Sequence, residues 1–567
     1  NATAVGSGAA EAATSAGGVV AVGTHALNAC TEGNGNTAVG SYSLALLVGT
    51  GTSAGTGGDH NTVVGESAGW VTTGSRNTFL GYYAGIFASS TDDCIAIGKN
   101  ALLGVTGDRV TGNYNIAVGN YALDACTSGT QNVAIGYDTL TDSTNVSENT
   151  AVGYKAGSVL TAASNTVVGH LAMSYCTSVT HSVAIGKSAL RGDGSTAPSG
   201  NYNIGIGSYA LDATTTGYSN VAIGYNAGTD LIGGYRNILL GHHAGENLTD
   251  AYYTVAIGYE ALAAANAGEH YNVAIGAFAL TSETTGADGC VAIGGYALAD
   301  QNVVDANNVA IGYSAGFNLS SGTDSVYVGY KAGGLGVITG NDNTVVGMGA
   351  GYDLTSGYSN VLIGTWAGEN FTNNYGNIAI GHGALDAAND GERYNIAIGT
   401  GALGAETSGS DGNVAIGHSA LLLQNRDGSA NTAIGYQAGQ AIPASTGGRY
   451  AVIMGYQAGS GAMTGDANTL IGYASGQAML GGARNTLLGY ATGQDLTTGT
   501  SNVMLGSSAG LNATTAKQNV IIGRDASSER SQYGGNEQRG YRSSRWLRSH
   551  DWRVQHLTWN RCRCEFH

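Results

Sequence analysis

Apolar residues along this chain come in threes. The pentapeptide Asn-x-x-x-Gly, with three apolar or β-branched residues between its ends, recurs from Asn36–Gly40 through Asn132–Gly136 and Asn220–Gly224 to Asn519–Gly523. About 30 such glycines lie between Gly6 and Gly523, and most intervals are 17 or 18 residues. The residue after the Asn is β-branched (Thr37, Val133, Ile378, Val520), and the residue before the Gly is aliphatic or Met (Val39, Ile135, Leu240, Met454). The middle residue is usually Ala, with Gly205 and Tyr327 as departures, and Ala commonly stands three residues past the Gly (Ala84, Ala156, Ala227, Ala438). Three such residues predict a short strand. The Gly predicts a sharp corner. The Asn predicts a side-chain turn bond that stacks into an amide ladder.

After each corner, stretches such as LDACTSG and LDATTTG predict a second, Thr-rich strand and a closing turn. The expected fold is therefore all-β: a parallel β-solenoid of about 30 coils of 17–18 residues, two short strands to a coil. Helical repeats need 30 or more residues and do not tolerate this density of Gly. Because strand side chains alternate, the first and third apolar residues share one face and the middle residue occupies the other. The expectation is that the first and third, Ile311 among them, fill the lumen. The middle residues, including Val63, Phe79, Leu239, Leu362, Leu487 and Ile521, then form an outer apolar stripe that a partner chain covers.

Composition narrows the choice of class. The chain has 567 residues with 94 Gly and 2 Pro, which excludes a collagen helix. Only 11% of residues are charged and the net charge is −17, which speaks against a nucleic-acid partner. No apolar run reaches the length of a membrane-spanning helix, so no membrane insertion is expected of this segment. The repeat domain covers residues 1–525. Residues 526–567 form a non-repeat basic tail with Trp546, Trp552, Trp559 and eight Arg. That abrupt change of residue usage is of the kind a shifted reading frame produces, and no function is assigned to it.

The candidate chemistry is thin. Gly347-Met-Gly349 lacks the third Gly and the strand–helix context of a dinucleotide loop, and Gly186-Lys187-Ser188 has His181 where a phosphate loop needs Gly. His242 and His243 occupy slots that hold Tyr in other coils, such as Tyr137 and Tyr225. Arg191-Gly192-Asp193 spells the tripeptide of integrin ligands and is read as a chance match. Cys30, Cys126 and Cys176 each lie seven residues past a repeat Gly, in coils that are not adjacent, and read as small buried residues. Cys562 and Cys564 lie in the tail. No catalytic, cofactor-binding or metal-binding residues are assigned, no cofactor is expected, and the chain is read as not an enzyme.

Two features point to binding. Tyr follows the Gly in many coils (Tyr82, Tyr154, Tyr259, Tyr313, Tyr330, Tyr436, Tyr456, Tyr490), giving a ring column suited to glycans, apolar surfaces or packing between coils. Four longer intervals, about residues 47–60, 103–113, 190–201 and 439–449, interrupt the regular surface.

The repeats NVAIGYNAG, SVAIGKSAL and NTAIGYQAG resemble the head repeat of YadA-like trimeric autotransporter adhesins, and runs such as NTAVGYKAG look like repetitive regions of phage tail fibres. The resemblance implies a left-handed parallel β-roll with three chains around a common axis, outside the cell. It implies a fibre acting in adhesion or receptor binding, with cell-surface glycans or proteins as partners. The alternative is a purely structural filament or spacer without specific binding.

Overall fold

The structure, a computed structural model, describes residues 1–526 and 539–541, apart from residues 30, 32, 46–57, 106–107, 195–197, 265–268, 283–285, 287, 302–305, 335, 388–390, 406–410, 425–429 and 444–447. Most of the tail and the centres of the four longer intervals therefore lie outside the described residues. The described residues contain strands and turns and no helix.

The chain divides into two compact units, residues 1–391 and 392–567. Each is a parallel β-solenoid. In the first unit, strands β1 (Ala2–Val5) to β22 (Ile378–Ile380) pair in sequence order, each parallel to the next. In the second, β23 (Ile396–Ile398) to β30 (Val520–Ile522) do the same, and β31 (Arg539–Tyr541) pairs with β30. Register follows the repeat slot by slot: Val309 faces Val326, Ala310 faces Tyr327 and Ile311 faces Val328.

The facing of the strand is the reverse of the sequence expectation. The middle residue points into the lumen and is fully buried, as for Ala310, Phe79, Leu239 and Leu487, whereas Ile311 is 39% exposed. The reason lies one residue outside the apolar triplet. The repeat Asn has the same parity as the middle residue, and its amide is bound within the stack. Asn61 donates from its backbone N (2.8 Å) and its Nδ2 (3.1 Å) to Asn36 Oδ1, and Asn36 Nδ2 donates to Gly58 O at 2.8 Å. The same pattern recurs in the second unit, where Asn485 bonds Asn468 Oδ1 and Gly499 O. The predicted amide ladder is thus present, and a buried polar group so well satisfied fixes its face inward. Where Asn is replaced, Cys94, Ser182 or Ser325 passes the ladder on by accepting the next backbone N–H through sulfur or hydroxyl oxygen.

A small middle residue fits the lumen because another slot fills it. Four residues past the Gly stands in nearly every coil either Leu, as at Leu102, Leu123 and Leu298, or Gly, as at Gly85, Gly245 and Gly333, with Ala10 and Met173 among the departures. Coils with Leu there have a small middle residue, Ala (Ala96, Ala117, Ala292) or in one coil Gly205, whereas Phe79, Leu239 and Tyr327 each share a coil with Gly. A Cβ on Gly85 would lie 2.8 Å from the Phe79 ring, and one on Gly333 2.7 Å from the Tyr327 ring. The large middle residues are therefore lumen filling matched by a deleted neighbour, the jigsaw expected of a close-packed interior.

Among the described residues the expected second strand is not formed. Instead, residues two and four past the Gly take left-handed φ, as at Tyr42 (56°) and Leu44 (48°), and backbone groups then point alternately up and down the stack. Tyr42 N donates to Thr24 O of the preceding coil, and Leu44 N to Ala68 O of the following one, both at 2.9 Å. No Val, Ile or Thr occurs among the left-handed positions of the described residues. This agrees with the steric cost of β-branching there. Threonines beyond the corner bond neighbouring coils through their hydroxyls, as Thr355 does to Thr372 O (2.8 Å) and Thr497 to Thr514 O (2.9 Å). Among the described residues, parallel bridges such as Tyr235–Tyr252 and Leu319–Ile338 are all that stands where a second strand was expected. The corner Gly admits no side chain: Gly224 has φ 145°, and a Cβ there would lie 2.2 Å from Gly241 O.

Candidate functional site

Three surfaces carry the chemistry this fold offers. The first is the outer face of the strands. The first and third residues of each triplet stack in register into two half-exposed columns, the third aliphatic or Met throughout and the first Val, Ile or Thr. Ile135, Ile185, Ile223, Ile238 and Ile311 are exposed in the first unit, and Val452, Met454, Leu488, Val503 and Leu505 in the second. An apolar face running through so many consecutive strands far exceeds the patches that soluble monomers normally leave in water.

The second surface is aromatic. The Tyr column predicted after the Gly is present, and its rings stack on one another along the coils. Tyr137, Tyr154 and His170 form one run, with centroids 5.7 and 5.2 Å apart. Tyr225, His242 and Tyr259 form another, at 5.1 and 5.4 Å. This places His242 inside a ring ladder, while His243 Nδ1 contacts Glu246 Oε2 at 2.6 Å. No group of three metal-ligating side chains occurs among the described residues. A second column, unanticipated from the sequence, lies just before the Asn slot, where Tyr218, Tyr235, Tyr252 and His270 stack in order. Its signal was available: aromatic residues recur at that slot in consecutive coils. Open grooves lie between the rows. One of about 400 Å³ is lined by Tyr296, Tyr313, Phe317, Tyr330 and Lys331, and another of about 460 Å³ by Asp138, Asp142, Tyr154, Lys155 and Tyr175.

The third surface is a set of carboxylates past the corner. Burial, then repulsion from Asp138 and Asp142, pushes the Asp124 carboxyl up to about 7. Burial raises Asp212 to about 6 against the attraction of Arg191, whose Nη2 lies 3.1 Å from Asp212 Oδ2. Arg191 of the Arg-Gly-Asp tripeptide is therefore held in an ion pair between coils.

The described cysteines, Cys94, Cys126, Cys176 and Cys290, are all buried. Burial pushes Cys94 up to about 11 and Cys126 up to about 12, and raises Cys176 too, so these sulfurs pack rather than react. Cys126 and Cys176 occupy the same buried slot, as the spacing indicated, while Cys30, Cys562 and Cys564 lie outside the described residues. The Gly347 and Gly186 stretches are corners of ordinary coils, with no helix following either.

No protein-family model matches this chain, and no curated protein matches it significantly. No helix among the described residues is long and apolar enough to cross a membrane.

Proposed function

We propose that this chain is a non-enzymatic extracellular fibre protein whose solenoid units assemble as a parallel, left-handed homotrimeric β-roll that acts in adhesion or receptor binding. The observation that carries the reading is the outer strand face, where a column of aliphatic or Met side chains runs beside one of Val, Ile and Thr. Every coil contributes to it, and register keeps it continuous within each unit. A second copy of the same repeat presents the same columns at the same spacing, so like chains cover each other without mismatch. Burial of apolar area at about 25 cal/mol per Å² favours that arrangement strongly when summed over many coils. The count of three, the handedness and the extracellular address follow the resemblance to YadA-like heads.

The structural-filament reading has one observation in its favour. The tyrosine ring faces are covered by one another, so most of the aromatic column supports the stack. Light scattering on the folded chain is expected to return three chains per particle. A stable monomer at micromolar concentration would remove the assembly, and a trimer that attaches to no cell surface would leave the filament.

A further inference from the structure

One stretch of the aromatic column differs from the rest. In the second unit, Tyr436, Tyr456, Tyr473 and Tyr490 stack without interruption, at centroid distances of 5.0, 5.2 and 4.9 Å and interplanar angles of 9°, 5° and 7°. The four are 42–57% exposed. Because Tyr456 and Tyr473 are covered by a ring on each side, their exposure belongs to the ring edges and hydroxyls.

Beside the rings runs a second ladder of side-chain amides. Gln457 Nε2 donates to Gln437 Oε1 (2.7 Å), Gln477 Nε2 to Gln457 Oε1 (3.1 Å) and Gln494 Nε2 to Gln477 Oε1 (2.8 Å). From each strand through this ladder, residues 432–441, 452–461 and 469–478 include no Asp, Glu, Lys, Arg or His, and the equivalent stretch 486–495 holds one charged residue, Asp495, at its end. The ring runs of the first unit are different. Lys155 lies over Tyr154, Lys187 over Tyr209 and Lys331 over Tyr330, and His170 and His242 take places inside the columns, whereas in the second unit a His, His418, stacks only on the end of the run, against Tyr436.

We infer that this uncharged Tyr–Gln face of the second unit binds a neutral, extended polysaccharide laid along the solenoid axis. The chemistry selects the class. A ligand that uses equivalent sites on successive coils must repeat at the strand spacing of about 4.8 Å. An extended β-1,4-linked sugar chain advances by nearly that distance per ring, alternate rings being turned over so that like edges meet every second coil, whereas an extended peptide advances about 3.3 Å per residue and falls out of step. Sugar rings offer C–H edges and hydroxyls, which match tyrosyl edges, phenol hydroxyls and half-buried amides. A polyanion gains nothing from a face without Lys or Arg. Each contact is weak, and affinity builds from several in register, as for linked sites at high effective concentration.

This inference names a ligand class for the adhesion reading, and its test separates the two. The full chain is titrated calorimetrically with β-1,4-linked oligomers of glucose, mannose and N-acetylglucosamine, shorter and longer than the four-ring ladder, with heparin as the charged comparison. At least one neutral series should bind with affinity that rises with length until the ladder is spanned and then levels. Tyr456→Ser with Tyr473→Ser should weaken that binding about tenfold. Tyr456→Phe with Tyr473→Phe, which keeps the stack and removes the hydroxyls, should weaken it by less. Tyr137→Ser with Tyr154→Ser in the first unit should leave it unchanged.

Absence of binding by every neutral series, affinity independent of length, preference for heparin, or full affinity in the Ser variant overturns the inference. Light scattering on the same samples keeps the outcomes apart. A monomer that binds sugar sinks only the trimer, and a trimer that binds none sinks only the sugar site.

Discussion

Exchanging the partners at Phe79 and Gly85 tests how the lumen is filled. Phe79 is fully buried in the middle slot, and a Cβ on Gly85 would come 2.8 Å from its ring. Phe79→Ala alone opens a cavity and should cost ~3–5 kcal/mol. Gly85→Leu alone forces a branched side chain into the ring and should cost ~1–3 kcal/mol in overpacking. It adds ~1–2 kcal/mol because residue 85 sits at φ 59°.

The double variant rebuilds the arrangement of the next coil, where Ala96 occupies the middle and Leu102 adopts φ 51° in the equivalent slot. It should therefore be no less stable than the worse single variant, recovering about 3 kcal/mol relative to additivity. Stacked coils need not unfold in one step, so a single melting temperature is the wrong measure. Native-state hydrogen exchange at Thr78 N and Gly85 N, which donate to Cys94 O and Ala101 O, reads the local stability instead. If protection in the double variant falls by the sum of the two singles, the filling of the lumen does not depend on this pairing and the argument fails.

Three further outcomes are expected. Ala310→Asp should lose the exchange protection of its own and adjacent coils, because it buries an unpaired carboxylate, whereas Ile311→Asp should remain folded and lose chain association; equal effects of the two would contradict the inward facing of the middle slot. Cys94, Cys126 and Cys176 should resist iodoacetamide at neutral pH in the folded chain and react once it is unfolded, since burial raises all three thiols, and mass spectrometry after each treatment decides it. For Asp124 the folded chain holds its proton up to about pH 7 while the unfolded chain releases it in the ordinary carboxylate range. Local stability should therefore fall as pH rises between those limits and level above them. Asp124→Asn should flatten that fall in hydrogen exchange around residues 119–142, and an unchanged profile would assign it to other groups.

The repeat period, the strand, the corner glycine and the Asn ladder were all legible in the sequence, because each depends on residues within one coil and its identical neighbours. Asn61 bonds Asn36 for no reason beyond their occupying the same slot one coil apart. What the apolar triplet alone left undecided was its facing, since both parities are aliphatic and alternation carries no sign. The sign comes from the parity of the Asn and from the trade between the middle residue and the slot four past the Gly, a relation between residues about six apart that meet only across the lumen, as Phe79 and Gly85 do.

The missing second strand has a similar origin. Thr-rich stretches have the propensity for strand, but each coil must turn its backbone groups toward the coils above and below, and alternating left-handed residues such as Tyr42 and Leu44 achieve this without extension. Tyr slots could likewise be read from the sequence, while the stacking of their rings could not. The choice between a platform for sugar faces and a column that offers only edges is made by the coil-to-coil spacing, which leaves no room between successive rings.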